Sequence, residues 1–351
     1  IRVYFHLHAQ RLAAEARGEQ PHLVQLNDLR ALPQPQFDEV STAYTQMFRQ
    51  IRQLLDGRET ERLSRQELNA RTHYVLSLSH WMRTWLYPYE THDYWRLADQ
   101  VSDIVLFGMA SQHAPAMSQA VAELEWQPPQ EPGSAPEAFL RAASELVNEQ
   151  GYLGASVDKI SARLNVTKGA FYHHNQNKED LVLQCFERTF GLIRCALQKA
   201  ADQGGTGWQR TVAAVQALAH FQLSENGPML RLGATSALSD LSRRAGVSVS
   251  VRRLVRRLAH DIVDGMVDGS IRPLDPLTAA QIATGAINSV SELKDWVAGA
   301  DRHNVTELYV KPLFRGILCD GVSGKMQSGG MAHAPAATDS PGVSTCPGHV
   351  S

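Results

Sequence analysis

The stretch that decides the fold is SVDKISARLNVTKGAFYHHNQNK, residues 156–178. Ser156 is a residue type that accepts a hydrogen bond from the free N–H groups at a helix start, and Asp158 suits the positive end of the helix dipole. Asn165 stands where the chain must reverse, because asparagine tolerates the left-handed backbone better than most residues. With Thr167 placed to cap the next segment, the stretch predicts two short helices joined by a tight turn.

The second of these helices carries groups suited to a nucleic-acid backbone. Gly169 in its first turn has no side chain to hold the main chain away from a phosphate. Tyr172 and His173 can donate to phosphates or reach base edges. The run from Lys159 to Lys178 contains four cations and no carboxylate, so we expect a local field that favours a polyanion.

The stretch and its flanks resemble the DNA-binding region of the TetR family of one-component repressors. The resemblance covers GYLGASVDKISARLNVTKGAFYHHNQNKEDLV and the amphipathic AFLRAASELVNEQG before it, roughly residues 136–190. A helix ending in Gly, a hydroxyl cap, a V-T-K-G turn and a Y-H-H segment follow the family's order and spacing. One position departs, since Asn175 stands where the family usually has an aromatic residue beneath the recognition helix. We therefore expect a looser small core there.

The resemblance implies an all-α, helix-turn-helix repressor and assigns roles by position. It implies that the DNA backbone is met by Ser156, Thr167, Lys168, Tyr172, His173 and Lys178, and that bases are approached by Gly169, Ala170 and Tyr172. Lys159 and Arg163, which point away from the apolar stripe of the first helix, complete the predicted DNA-facing set. A dimer would space two recognition helices about 34 Å apart, and a ligand in the sensor domain would change that spacing.

Composition favours a helical, non-enzymatic protein. The 351 residues are 43% apolar and 20% charged with a net charge of −2, so DNA binding must come from a local patch. The four cysteines show no CxxC spacing or paired framework, which favours a reducing cytoplasm, and no apolar run approaches the roughly 20 residues of a membrane span. Metalloprotease, hydrolase and nucleotide-binding motifs are absent, and neither His6 with His8 nor His173 with His174 shares a helix face. We expect no enzyme activity, metal, cofactor or membrane partner.

Turn signals divide the chain into helical segments with almost no strand-like alternation. Beyond the DNA-binding stretch we expect helices over 178–201, 208–223, 228–241, 247–267, 276–297 and 305–319. The predicted domains are a truncated sensor-type helical domain at 1–112, a linker at 113–135, the helix-turn-helix domain at 136–182, a ligand-binding and dimerisation domain at 183–321, and a disordered tail at 322–351.

The first hundred residues repeat features of the second half. LNDL at 26–29 and LDG at 55–57 lie 212 residues before LSDL at 238–241 and VDG at 267–269. On that alignment Ile1 falls inside the fifth helix of a TetR-like protein, so the first copy would lack its own DNA-binding helices. From the repeat, and from small residues near Gly285, we expect either an intrachain pseudo-dimer of the two sensor-type domains or a homodimer through the 276–297 helix.

Polar or aromatic residues within otherwise apolar helices indicate a pocket for an unidentified small-molecule effector. These residues are His220, Phe221, Ser236, Asn288 and Trp296. Each also has an ordinary structural interpretation, such as a hydrogen-bonded core histidine or a packing aromatic. The alternative function is a helical ligand- or partner-binding protein with a vestigial DNA-binding unit, for which Asn175 and the truncated first copy are the support.

Overall fold

The protein is all-α in the part of the chain that its computed structural model describes, residues 1–22, 32–117, 136–169 and 177–318. The one β-type pairing there is an isolated bridge between Ala110 and Ile271. None of the helices in these ranges is long and apolar enough to cross a membrane. The first-half helices are α1 (Arg2–Ala16), α2 (Gln34–Leu55), α3 (Arg65–Trp85) and α4 (Tyr94–Phe107). The second-half helices are α5 (Glu137–Gly154), α6 (Val157–Arg163), α7 (Lys178–Gln203), α8 (Gly207–Gln222), α9 (Leu241–Val267), α10 (Pro276–Ser289), α11 (Leu293–Trp296) and α12 (Lys311–Arg315), which continues a π-helical turn at Thr306–Val310.

The helix starts follow the predicted capping chemistry. Ser156 accepts a hydrogen bond from a main-chain N–H in the first turn of α6 at 3.2 Å, and Asp275 does the same for α10 at 2.7 Å. Asn165 has a φ of 54° and so provides the left-handed residue expected at the turn. The cap of α7, Asn177, was not predicted; its side chain accepts from a main-chain N–H at 2.9 Å.

The helix predicted over 228–241 is wrong in its first part. Residues 228–231 are extended, and only a 3₁₀ turn at Leu232–Ala237 follows them. The reason is that consecutive main-chain N–H groups donate to side chains of other helices instead of to carbonyls one turn back. The acceptors are Gln222 for Met229, Thr189 for Leu230, Asn148 for Arg231 and Asn288 for Leu232. The segment predicted over 276–297 is helical from Pro276 to Trp296, with a 3₁₀ turn at Val290–Glu292 between α10 and α11.

The two halves of the chain pack against each other through four helical elements. In the first half α3 and α4, and in the second half α10 and the Thr306–Arg315 region, form one continuous core. At one point of this contact a large side chain lies against a glycine. Trp81 of α3 packs on Gly285 of α10, where any Cβ would collide with the Trp81 ring. The contact is therefore close-packed.

The ends of α4 and α12 meet reciprocally. Gly108 follows α4 with a φ of 70°, and Gly316 follows α12 with a φ of 90°. A Cβ on Gly108 would collide with the carbonyl oxygen of Phe314, and a Cβ on Gly316 would collide with that of Leu106. The main chains beside them exchange hydrogen bonds of 2.9 and 3.0 Å. Each helix end thus makes with the other the same kind of contact that it receives, as in a two-fold interface.

Two helix boundaries of the first half have a counterpart at the expected repeat offset in the second half. The ends of α2 and α9, Leu55 and Val267, are 212 residues apart. The starts of α4 and of the π-helical turn, Tyr94 and Thr306, are also 212 residues apart. The LNDL motif at 26–29 lies outside the described residues.

Candidate nucleic-acid interface and ligand cavity

The predicted helix-turn-helix unit is built on α5 and α6. Ile160 is fully buried and Val157 packs against the same core, so the apolar stripe of α6 faces inward. Lys159, on the opposite side, is exposed, and residues 168–169 already have helical geometry. The predicted contacts Ala170, Tyr172 and His173, and the departure at Asn175, lie outside the described residues, and their roles stay predictions.

Carboxylates from outside the basic run lie against its cations. Arg163 pairs with Glu149 at 2.8 Å and with Glu145 at 3.4 Å. Lys168 pairs with Asp158 at 2.6 Å, and both side chains are about three-fifths exposed, at 61% and 62%. These carboxylates partly neutralise the positive charge that residues 159–178 carry. Exposed pairs of this kind contribute only about 0–1 kcal/mol, so phosphates can replace the carboxylates.

Lys159 and Lys178 are held by neutral acceptors. Lys159 donates to the Gln150 side chain at 2.6 Å and to a main-chain carbonyl at 3.0 Å. Lys178 donates to the carbonyl oxygen of Tyr152, and its ammonium lies 3.9 Å from the centroid of that ring. Desolvation lowers the Lys178 pKa from its usual value. Lys178 therefore joins the end of α5 to the start of α7, a structural role that its predicted phosphate contact would compete with.

A narrow cavity lies between α7, α8, α9 and α10. It leaves about 30 Å³ for the centres of water molecules, room for about two. Thr189, Gln222 and Asn288 in its wall each accept a hydrogen bond from a main-chain N–H of residues 229–232, at distances of 2.7 to 3.0 Å. Thr284 donates to a main-chain carbonyl at 2.7 Å. Since these polar groups are occupied, the surface presented to a ligand is mainly aliphatic.

Of the five predicted ligand contacts, Asn288 lines this cavity and three others face elsewhere. His220 Nε2 lies 3.0 Å from a hydroxyl of the π-helical turn. Phe221 lies beneath the guanidinium of an α7 arginine, 5.5 Å from the ring centroid. Trp296 stacks on an aromatic ring of α2 at 4.7 Å, in the contact between the two halves. The side chain of Ser236 is outside the described part.

Residues 228–232, here called the cavity-wall segment, connect the cavity to the helix-turn-helix unit. Met229, Leu230 and Leu232 line the cavity. On the other side, Asn148 of α5 donates to the Met229 carbonyl at 2.9 Å and accepts from the Arg231 N–H at 3.0 Å. The buried Arg231 guanidinium donates to the main-chain carbonyl of Asn148. The segment thus contacts the cavity through Met229, Leu230 and Leu232, and α5 through Met229 and Arg231.

A second connection runs through Arg188 of α7. Its side chain is only 1% exposed and pairs with Glu137, the first residue of α5, at 2.6 Å. Its other nitrogens donate to the carbonyls of Asn226 at 2.6 Å and Pro228 at 2.9 Å. The sequence did not reveal Arg188 or Asn148, because their partners on the loop before α9 lie 38 to 83 residues away. A polar residue in the middle of an apolar helix face was the only available signal.

Comparison with known proteins gives the following similarities. Residues 139–185 match the family described as "Bacterial regulatory proteins, tetR family". The chain is 36% identical over 72 residues to the transposon Tn10 TetC protein of Escherichia coli, covering 20% of this chain and 36% of that relative. It is 24% identical over 173 residues to the fatty acid metabolism regulator protein of Bacillus subtilis, covering 48% of this chain and 87% of that relative.

Solved structures similar to the chain cover about half of it. One is AibR in complex with isovaleryl coenzyme A and operator DNA, with 22% identity, a TM-score of 0.42, and coverage of 51% of this chain and 97% of that one. Another is FadR from Bacillus subtilis in complex with stearoyl-CoA, with 21% identity, a TM-score of 0.39, and coverage of 51% and 97%.

Proposed function

Since residues 139–185 make this chain a member of the TetR family of bacterial regulatory proteins, we propose that it is a ligand-responsive DNA-binding regulator of transcription, of the repressor type. The observation that carries the proposal is the capped α6, with the left-handed turn at Asn165 leading into the V-T-K-G stretch. This unit holds the start of a second helix exposed at Lys168 and Gly169. A helix start of that kind is suited to phosphate contacts.

Binding to DNA would exchange protein ion pairs for phosphate contacts. On binding, Arg163 and Lys168 would give up their ion pairs with exposed carboxylates and form new ones with phosphates. Each contact therefore gains less electrostatic energy than an unpaired cation would, but the DNA still releases its counterions. Weak, salt-sensitive binding by one unit is therefore expected. A second linked unit would strengthen binding by a factor of about 10² to 10⁴ through effective concentration.

The cavity-wall segment gives a route from effector to DNA. A ligand larger than the space of about 30 Å³ must push its walls apart, and Met229 and Leu230 belong to the wall that bonds to α5. Displacing this segment strains the Asn148 and Arg188 contacts and shifts α5 together with α6. Because a ligand that fits only the opened state favours that state, DNA release follows from binding.

The family resemblance implies dimerisation through α10 and the final helix, and other helices of the same chain pack on both of these. Helices α3 and α4 of the first half pack on α10 and on the Thr306–Arg315 region. The contacts at Gly108 and Gly316 are reciprocal. This supports an intrachain pseudo-dimer over a homodimer through α10. In that arrangement the described residues offer one helix-turn-helix unit for each pair of sensor-type halves.

Selection from a pool of randomised DNA duplexes tests the function. The chain should enrich one sequence motif and bind it with a logarithmic salt slope that falls by about 0.9 for each phosphate contact removed. The double variant Arg163→Ala with Lys168→Ala should lose most of this binding, whereas Arg252→Ala with Arg256→Ala, at exposed α9 positions, should keep it. Absence of enrichment and of salt-dependent binding would favour the helical ligand- or partner-binding alternative with a vestigial DNA-binding unit.

A further inference from the structure

A groove rich in arginine adjoins the cavity on the α7–α9 side. We infer that the effector is an amphipathic anion, with an apolar chain that enters the cavity and a negatively charged head that the groove holds. The inference rests on the proposed function, because it names the chemical class of that regulator's effector. Such an effector would consist of an acyl chain that ends in a carboxylate or is joined to a phosphorylated carrier.

The groove has the size and charge of an anion site. It is an open depression of about 680 Å³, a volume within the range of about 300–1,000 Å³ typical of small-molecule sites. Arg194, Arg253 and Arg257 line it, and no carboxylate does. Arg194 and its partner Glu187 are both more than half exposed at a separation of 3.8 Å, so this pair holds the guanidinium weakly.

Arg257 is the more firmly positioned of the groove cations. It lies 2.9 Å from Asp261, which is itself 3.2 Å from a second arginine on α8, Arg210. Arg210 also pairs with Asp264 at 2.5 Å, so two carboxylates balance these two guanidinium groups. The positive charge of the groove is therefore carried by Arg253 and by the weakly held Arg194. Arginine presents several N–H donors in a planar fork, the geometry that carboxylates and phosphates accept.

Only two side chains separate the groove from the cavity. Leu197 of α7 and Leu254 of α9 line both spaces. Along α9 the two linings alternate, with Arg253 in the groove beside Leu254, and Arg257 in the groove beside Leu258 in the cavity. A molecule lying across this boundary meets cations at one end and an aliphatic wall at the other. An inorganic anion would contact only the cations, and a neutral hydrocarbon would contact only the aliphatic wall.

Because the cavity is small, the head group must also anchor the ligand while its chain opens the cavity. A chain of several methylenes does not fit in about 30 Å³, so Leu197 and Leu254 must part and α7 must move relative to α9. Each buried CH₂ contributes about 0.8 kcal/mol towards this opening. Arginine contacts to the head would anchor the ligand at the boundary while its chain displaces the cavity-wall segment.

Calorimetric titration of the purified chain, without DNA, tests the inference with four probes. Lauroyl-CoA, laurate, coenzyme A and dodecanol separate the phosphorylated head, the carboxylate head, the head alone and the tail alone. We expect lauroyl-CoA or laurate, whichever head is recognised, to bind at least tenfold more tightly than coenzyme A and dodecanol. Equal binding of dodecanol and of both anionic lipids would overturn the inference.

Charge-reversal variants separate a specific groove from general attraction. Arg194→Glu with Arg253→Glu should weaken binding of the tighter lipid tenfold or more, and Val251→Trp, which fills the cavity, should weaken the lipid but not coenzyme A. The matched control, Arg252→Glu with Arg256→Glu, changes the same charge on exposed α9 positions outside the groove lining and should alter affinity less than twofold. Equal losses in the groove and control variants would overturn the inference.

Duplex selection, run in parallel, keeps the two proposals separate. A chain that binds DNA but no anionic lipid refutes the effector class and leaves the regulator function in place. A chain that binds lauroyl-CoA or laurate through the arginines but no DNA refutes the regulator function, and the site then belongs to a lipid-binding protein.

Discussion

The two halves of this protein share their helix order but fill their helices with different side chains. In α10 the buried residues include Ala283, Gly285 and Ala286, and Gly285 lies against Trp81 of the first half. In the matching helix of the first half, α3, the buried residues include Tyr74 and Trp81. Small against large is complementary, whereas α10 against a second α10 would place small against small. The difference supports the proposed pairing of the two halves within one chain.

The two interiors also differ in what they can accommodate. The second half keeps an aliphatic cavity whose wall is bonded to α5. The first half instead places rings and a buried histidine, His73, at the contact, where His73 lies 5.6 Å from Tyr309 of the second half. We propose that the second half carries the ligand-responsive site and that the first half supports it.

Removing the large partner should have the largest effect on this contact. Trp81→Ala deletes a side chain that is 7% exposed and leaves a cavity above Gly285, so we expect a loss of about 3–5 kcal/mol in the free energy of unfolding. Tyr87→Ala, at a side chain that is 86% exposed on the same half, should change it by less than about 0.5 kcal/mol. Urea unfolding measures both, and similar values for the two variants would contradict the close packing.

Acid should weaken the same contact through His73. Burial lowers the pKa of His73 to about 3, from 6.5 in the unfolded chain, so the neutral ring stabilises the fold fully above pH 6.5. As pH falls from 7 to 5 this contribution shrinks by about 2 kcal/mol. His73→Leu should flatten the pH dependence of unfolding by that amount, and the exposed His92→Gln should not. An unchanged profile in His73→Leu would argue against a buried neutral ring.

The connection between cavity and α5 should break at Asn148. Asn148→Ala leaves the Met229 carbonyl without its donor and the Arg231 N–H without its acceptor, at a cost of about 1–3 kcal/mol. Hydrogen exchange should accelerate at residues 229–232 while α3 and α10 keep their protection. Glu149→Ala, one residue further on an exposed face, is the control. Uniform acceleration over the whole chain would show that Asn148 acts only on global stability.

The smallest effects belong to the exposed ion pair at the start of the recognition helix. Lys168→Ala should change stability by less than about 1 kcal/mol yet reduce the logarithmic salt slope of DNA binding by about one. Asp158→Asn should tighten DNA binding, because it frees Lys168 for phosphate. Anisotropy titrations over a range of salt concentrations compare the two, and equal changes in the same direction would rule out the exchange.

Local chemistry made part of this structure predictable. The cap at Ser156, the left-handed Asn165 and the start of α10 at Pro276 depend on neighbours within one turn, and all three predictions are confirmed. The all-α class followed from the same signals.

The remaining features depend on contacts between distant residues. The extended cavity-wall segment obtains its hydrogen-bond acceptors from four different helices, so no local signal distinguished it from a helix. The carboxylates that neutralise Arg163 lie on α5, 14 and 18 residues earlier, outside the run whose charge was counted. His220, Phe221 and Trp296 were predicted as ligand contacts from their place in apolar helices, and only the fold shows which face each one takes.

Pairing of the two halves within one chain is tested most directly by sedimentation equilibrium of the purified protein over a wide concentration range. If α3 and α4 cover α10, the chain should sediment at its own mass, 38.8 kDa, and the hydrogen-exchange protection of α10 should not depend on concentration. A stable species of twice that mass, with α10 protected only where that species forms, would contradict the intrachain pairing.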